Sequence, residues 1–529
     1  MAAKRFDINS LPPEKFVFVQ EGTKLSDKKF DTKPVGYFKD AWRRFRKNKA
    51  SVVAAIIILI IVLYSFLIPL FNTRYDVTFN DNTYQMLPPR SILLSKIGIA
   101  DGGSEATINE PDLIWKIGIG VAAEDTQGTG NITVDQGLKS KYQPILRVDK
   151  PFSQLEGKKE FFYYPVRVEN YYNIGFQYKS ITQEEYQEIV NWQEETGIKV
   201  LYPLIAKNEY NPDETNANYW YKAKRYQNQV YPVITTENGT AKRVGYNELQ
   251  FEDNYIRDAE GNPVYFRYTG GGTSHEDVQY RVRILYYNYY IFKNGFEPNY
   301  LLGTDSSGYD LALRLASGIK LSLLIAICVS VINFIIGAVY GAVEGYYGGW
   351  VDIILERVTD ILAGMPFIVL ATLFQIHFAN KVGAVPSLLF AYVLTGWIGT
   401  ASRVRTQFYR FKNQEYVMAA RTLGARDRRI IWKHIFPNAL GTIITSSALV
   451  IPGVIGSESM LSYLGIVKLG GDEGISLGTL LSDASSNWLS HPHLMLFPAL
   501  VLSLLMICFN LFGNGLRDAF NPSLRGVED

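Results

Sequence analysis

The chain has 529 residues, 53 Lys+Arg against 51 Asp+Glu, and a formal net charge of +2. A hydrophobic content of 47% excludes a disordered chain, two Cys exclude a disulfide-stapled scaffold, and the balanced charge makes no case for nucleic-acid binding. A mean hydropathy of −0.01 also fits a chain of two unlike parts, and the sequence divides that way. Residues Asn72–Leu302 hold 25 of the 35 Tyr, with 24 Lys+Arg against 30 Asp+Glu, while the remainder carries 29 against 21.

In chain order, residues 1–51 read as a cytoplasmic segment that ends in the basic run Trp42-Arg43-Arg44-Phe45-Arg46-Lys47-Asn48-Lys49. This run reads as an amphipathic surface helix with Trp42 and Phe45 at the interface, as a stop-transfer flank, or as both. Val52–Phe71 is apolar for about 20 residues, enough to cross a hydrocarbon core of about 30 Å. A long polar lead and no cleavage site mark it as a retained transmembrane helix rather than a signal peptide. Five further spans are predicted near Ser317–Val343, Ile353–Phe378, Pro386–Thr400, Ala439–Ser457 and Leu494–Leu511. The third is broken by Pro366, the fourth is short, and the fifth is broken by Pro452-Gly453.

Basic residues near span ends stay cytoplasmic. The run before the first span, Arg517 and Arg525 after the sixth, and nine Lys and Arg between Arg403 and Lys433 all fall on one side if there are six spans. Both termini are then cytoplasmic, and the 72–302 insertion is extracellular.

The insertion reads as an α+β domain. Gly157–Tyr178, Glu248–Tyr268 around the turn residues 258–263, and Tyr280–Phe292 read as strands. Thr182 with Glu185 fits a capping box opening a helix through about Thr196. The cluster Tyr286-Tyr287-Asn288-Tyr289-Tyr290 reads as sheet packing or as a partner surface. His275 has no companion Cys or His, so no metal site and no catalytic residue is expected there. The absence of Cys suits a Gram-positive source.

The segment that carries function is 401–438. Residues 415–438 read as a helix, a Gly turn and a second helix. Met418, Ala419 and Ala420 give a small packing face, Gly424 suits a left-handed C′ position, and Pro437 bends the entry to the next span. A charged helix-turn-helix on a membrane face would dock into a groove on a soluble partner.

Glu415-Tyr416-Val417-Met418-Ala419-Ala420-Arg421-Thr422-Leu423-Gly424-Ala425, with Pro437 thirteen residues after Gly424, resembles the Glu-Ala-Ala loop of ABC importer permeases. Met418 stands where that family has Glu. Leu302-Gly303-Thr304-Asp305-Ser306-Ser307-Gly308-Tyr309-Asp310 is similar to the segment before the second span of dipeptide and oligopeptide permeases, with Tyr309 in place of Arg. Gly345–Asp352, Ser459–Gly465 and Asn510–Pro522 resemble other parts of their C-type subunit. The resemblance covers about 36–71 and 300–526, so the 72–302 insertion departs from the compact relatives.

The resemblance implies a type I ABC importer permease fold of six transmembrane helices: a first helix at 52–71, a five-helix core at 303–515 with the coupling loop, and a cytoplasmic tail at 516–529. It implies a non-catalytic subunit of an importer for oligopeptides or dipeptides, with nickel or another small solute as the alternative. The implied partners are a second homologous permease, two cytoplasmic ATPases, an extracellular substrate-binding lipoprotein, membrane lipid and the peptide, with no nucleic acid. No Gly-x-x-x-x-Gly-Lys-Ser/Thr is present, so ATP and Mg belong to the partner ATPases. The coupling-loop residues would be Glu415, Tyr416, Met418, Ala419, Ala420, Arg421, Gly424, Ala425 and Pro437; the motif before the second span is Gly303, Thr304, Asp305, Gly308 and Asp310.

Glu344, Asp352, Glu356, Arg357 and Asp360 lie near the cytoplasmic ends of the second and third spans. They read as interfacial charges pairing with one another, or as part of the translocation path in the case of Glu356, Arg357 and Asp360. The insertion is a candidate platform for the binding protein. An anchored extracellular receptor would need neither six spans nor the Gly424 loop, and a secondary transporter would be expected to show inverted repeats, which are not seen.

Overall fold

The computed structural model describes residues 37–520, except 73, 92–93, 96–99, 126–131, 157–158, 207–215, 219–220, 227–228, 246–248, 252–253, 270–277 and 471–473. Expectations for residues 1–36, His275 and the tail beyond Phe520, Arg525 included, lie outside these residues.

The amino-terminal helix α1 (Tyr37–Lys47) precedes α2 (Lys49–Phe71), the first span. Asn48 caps α2 by accepting a bond from the Ser51 amide. Trp42 is 60% exposed, but Phe45 is buried and meets Phe512 edge-on at 5.5 Å. Phe45 is therefore not at a lipid interface: the basic segment is a helix docked on the last span.

The inserted part is α+β. Its main elements are β1 (Gly103–Asn109), α3 (Glu110–Glu124), β2 (Ile145–Val148), β3 (Phe152–Glu156), β4 (Lys159–Glu169), β5 (Phe176–Thr182), α4 (Gln183–Thr196), β6 (Leu201–Tyr202), β7 (Ala223–Tyr226), β8 (Gln229–Thr235), β9 (Ala241–Arg243), β10 (Phe266–Thr269), β11 (Gln279–Leu285) and α5 (Tyr286–Asn294). Long β4 pairs antiparallel with β1 on one edge and with β2 and β3 on the other. A second sheet places β11 between β10 and β5, with β6 also on β11; a third is β7–β8–β9.

Four expectations change here. Tyr280–Phe292 is a strand only to Leu285 and then a helix. Its second half has no polar–apolar alternation, and every Tyr from 286 to 290 is buried, so period alone could not separate a buried strand from a buried helix. The same burial removes those Tyr as a partner surface. Thr182 does cap α4 through the Glu185 amide at 3.1 Å, but the box is not reciprocal. The Glu185 carboxylate instead accepts from Tyr289 at 2.8 Å and pairs with Lys293. Among the described residues of 248–268, strand is confined to Gln250–Phe251 and the stretch from Phe266, which pair with other elements, while the expected turn at 258–263 is closed by an Arg257–Pro263 bridge.

The remaining helices are α6 (Leu311–Tyr347), α7 (Gly349–Ala363), α8 (Phe367–Val382), α9 (Ala384–Thr395), α10 (Ile398–Phe411), α11 (Glu415–Thr422), α12 (Phe436–Ala448), α13 (Val450–Tyr463), α14 (Leu477–Ala484) and α15 (His493–Phe520). Among the described residues, five helices are long and apolar enough to cross a membrane, and a sixth crosses if α7 and α8, bent by 73°, count as one span. The bend falls at Pro366, as predicted. The fourth span is not short: Ala384–Phe411 runs 28 residues, so Arg403, Arg405 and Arg410 stand on a helix rather than in a loop. The last helix also continues past 516 to Phe520.

One close approach organises the membrane part. Gly337, Gly341 and Gly345 recur every four residues on α6 and face α10. A Cβ on Gly341 would lie 2.2 Å from the Ala401 carbonyl oxygen, and one on Gly345 2.8 Å from that of Arg405. Small residues at this spacing let two helix backbones meet in lipid, where no hydrophobic effect draws helices together. Gly341→Leu is expected to cost about 3 kcal/mol through overpacking, read as a lowered midpoint when the full chain is thermally unfolded in detergent.

The inserted domain holds a buried ion pair. Glu169 accepts from the Tyr172 amide at 2.7 Å and faces Arg90 at 3.7 Å, whose guanidinium lies over the Tyr171 ring. Burial pushes the Glu169 carboxyl up to about 7, with Arg90 pulling the other way. A raised folded pKa means that the folded domain binds this proton more tightly than the unfolded chain. Its contribution is therefore full below about 4.5 and is lost as pH rises through about 7. Hydrogen exchange of the domain's amides in the full chain should show protection falling over that window, with Glu169→Gln reducing the slope.

Candidate functional site

The turn after α11 is built by its backbone. Gly424 has φ +79°, its amide donates to Arg421 O at 3.0 Å, and the Ala425 amide donates to Ala420 O at 3.0 Å. These two bonds form a Schellman closure with glycine at its left-handed position. Nothing lies within 4 Å of a Cβ on Gly424, so the demand for glycine is conformational rather than steric.

Val417 anchors this turn. It is fully buried against Phe408, Ile430, Ile435 and Ala439, and Tyr346 at the end of α6 donates to Asp427 at 2.6 Å. The outer face is open. Glu415, Ala419, Arg421 and Gly424 are exposed, Ala420 and Ala425 are half-buried, and Leu423 is 87% exposed with Met418 at 50% and Tyr416 at 39%. Ahead of Pro437, residues Ile430–Ile435 form a π turn in which the Phe436 amide reaches Ile431 O. Proline supplies no amide, and its ring crowds the preceding turn.

The predicted charges separate into two groups. Arg357 pairs with Asp360 at 3.0 Å, both largely exposed. Glu356 instead joins a cluster centred on Arg405 of α10. The Arg405 guanidinium donates to both Asp352 oxygens, at 2.6 and 2.8 Å, and to both Glu356 oxygens, at 2.8 and 3.0 Å. Glu344 lies 3.6 Å away, and Tyr409 also donates to Asp352. The planar fork of arginine is suited to two carboxylates at once. This cluster ties α6, α7 and α10 together, ten residues before the start of α11.

The 303–310 motif is a clasp. Thr304 donates to Tyr84 O at 2.6 Å and accepts from the Leu87 amide at 2.8 Å. Asp305 accepts from the Ser307 and Tyr309 amides and pairs with Arg314. That arginine lies 4.0 Å from the Tyr309 ring centroid. Asp310 caps α6 at the Ala312 amide. Gly303 and Gly308 both have positive φ, and their Cβ atoms would collide with Leu87 O and Asp81 O. The motif thus holds the exit of the first span against the entry of the second.

Two residues escaped the sequence reading. In the sequence Arg405 reads only as one of several basic residues, because Asp352 and Glu356 lie about 50 positions away. Glu458, buried within α13, accepts from Ser322 at 3.0 Å and Ser462 at 2.9 Å. An acid inside an apolar run was the available signal.

Residues 334–526 match the family described as binding-protein-dependent transport system inner membrane component, and residues 36–89 match the N-terminal membrane domain of oligopeptide transport permease C. The dipeptide transport system permease protein DppC of Bacillus subtilis is 38% identical over 229 residues, covering 42% of this chain and 68% of its own. The chain belongs to this permease family. The oligopeptide transport system permease protein OppC of Haemophilus influenzae is 41% identical over 230 residues, covering 43% of this chain and 72% of its own. A chain of the MetNI methionine ABC transporter, solved in inward-facing conformations, aligns over 39% of this chain and 96% of its own with a TM-score of 0.33 and 17% identity.

The two family matches flank residues 90–333 of the permease, which contain the α+β insertion. Replacing the cluster's hub, Arg405→Ala, leaves two or three carboxylates close together without a counter-charge. The expected cost is about 2 kcal/mol, seen as a lower unfolding midpoint of the permease that Arg405→Lys restores only in part.

Proposed function

We propose that this chain is one permease subunit of an ATP-driven importer of dipeptides or oligopeptides. It would pair with a homologous permease, two ATPase subunits that hold ATP and Mg, and a substrate-binding lipoprotein. The charge rule supports placing both termini and the α11 turn in the cytoplasm and the α+β domain outside, where a binding protein delivers substrate. The path would run between the two permeases. The names of the relatives support the peptide as cargo.

The observation that carries this reading is the α11–Gly424 turn: inwardly anchored by Val417, closed by a glycine with φ +79°, and presenting an 87%-exposed Leu423 at the mouth of the spans. A rigid turn with an apolar tip is suited to sit in a groove of a nucleotide-driven subunit and carry its motion to α6 and α10. Met418 offers an apolar contact where the family pattern has an acid.

Leu423→Asp puts a charge into that groove and should lower labelled-peptide uptake and substrate-stimulated ATP hydrolysis more than about tenfold, with the permease still present in the membrane. Gly424→Val forces a β-branched residue into a left-handed turn, costs about 1–2 kcal/mol locally, and should do the same. Unchanged uptake in both variants would overturn the assignment of this turn, and uptake of nickel but not of peptide would overturn the cargo.

A further inference from the structure

The helix that carries Arg405 also carries arginines on another face. Arg403 and Arg410 stand seven residues apart on α10 and, with Arg517 of α15, open onto a groove of about 500 Å³ between α10, α12 and α15. Unlike Arg405, all three are exposed, and none forms an ion pair among the described residues. Three guanidinium groups sharing one groove without a carboxylate repel one another, and a bound anion removes that cost. Thr442 on the opposite wall has a hydroxyl that makes no hydrogen bond among the described residues. Beside the polar Thr406, Gln407, Thr445 and Ser446, the groove has an apolar wall of Ile443, Leu449 and Phe520.

We propose that this groove binds the phosphate of an anionic phospholipid at the membrane face that bears the basic span ends. The chemistry is that of a phosphate anion, and free phosphate shares it. Lipid is favoured by place and lining: the groove lies at the ends of spans, and its apolar wall suits the start of an acyl chain. Basic pockets between transmembrane helices are a general mode of anionic headgroup recognition. The site lies on a face of α10 other than the Arg405 cluster and does not depend on the cargo of the importer.

The test uses the purified full-length chain in detergent. Photoactivatable phosphatidylglycerol should crosslink to peptides carrying Arg403–Arg410, Thr442–Leu449 and Arg517, and phosphatidylcholine should not. Each arginine is expected to contribute about fivefold, so Arg403→Gln/Arg410→Gln/Arg517→Gln should weaken phosphatidylglycerol binding on the order of 100-fold. The corresponding triple Lys variant should stay within about tenfold of wild type. Millimolar inorganic phosphate should not compete. Equal crosslinking by both lipids, or an unchanged affinity in the Gln variant, would overturn the proposal. Competition by inorganic phosphate would assign the groove to a soluble anion and overturn the lipid. Loss of crosslinking when the second permease is co-purified, with no lipid retained, would make it a subunit contact instead. If the Gln variant does not fold, the wild-type crosslink map and the phosphate competition still decide.

Discussion

The contact on which the membrane part depends is the near-touching of two backbones, α6 and α10, across three glycines. In lipid, apolar side chains gain nothing by leaving the bilayer for another helix, so association rests on close packing and on polar groups that find partners. Removing the side chains at 337, 341 and 345 brings the α10 backbone within contact of α6. That distance sets everything at this end of the molecule. It puts Arg405 between Asp352, Glu356 and Glu344, lets Lys412 donate to Gly345 O at 3.0 Å, and seats Phe408 against the core that anchors Val417. A movement of the α11 turn would therefore be felt directly at the second and fourth spans.

One helix serves two electrostatic environments. On α10, Arg405 faces acids and is saturated, while Arg403 and Arg410 face a groove that has none. Composition treats the three as equivalent topology signals. Their separation follows from the rotation of about 100° per residue along a helix, which places 403 and 410 on one stripe and 405 on another.

The insertion is tolerated because its two ends are held together. The segment from Asp81 to Arg90 returns along Tyr300–Gly308, with backbone bonds from Asp81 to Gly308 O, Met86 to Asp305 O and Arg90 to Tyr300 O. A chain that leaves and re-enters at neighbouring points can carry a large domain between them without disturbing the spans. The buried Tyr cluster forms the base of that domain. Tyr286 of α5 donates to Asp81 at 2.6 Å, and the Tyr290 and Tyr300 hydroxyls meet at 3.1 Å. The excess of Tyr is thus explained by a base that is apolar in body and polar at its tips.

The sequence by itself determined the approximate place of the spans, the break at Pro366, the α+β character of the insertion, and the helix–glycine–helix turn at 415–438. These follow from local properties: apolar length, a missing amide, and a residue free to take positive φ. It did not determine that 286–290 is helical, that Phe45 is buried, that the fourth span continues through Phe411, or that Glu185 turns away from its own helix end. Each of these is decided by a partner far along the chain: Lys199 and Asp81 for the Tyr helix, Phe512 for Phe45, the acids of α7 for the polar extension of α10, and Lys293 for Glu185. Short-range pattern carries conformation where backbone chemistry is limiting, and only the tertiary structure settles burial and charge pairing, because those energies depend on which distant groups arrive within a few ångströms.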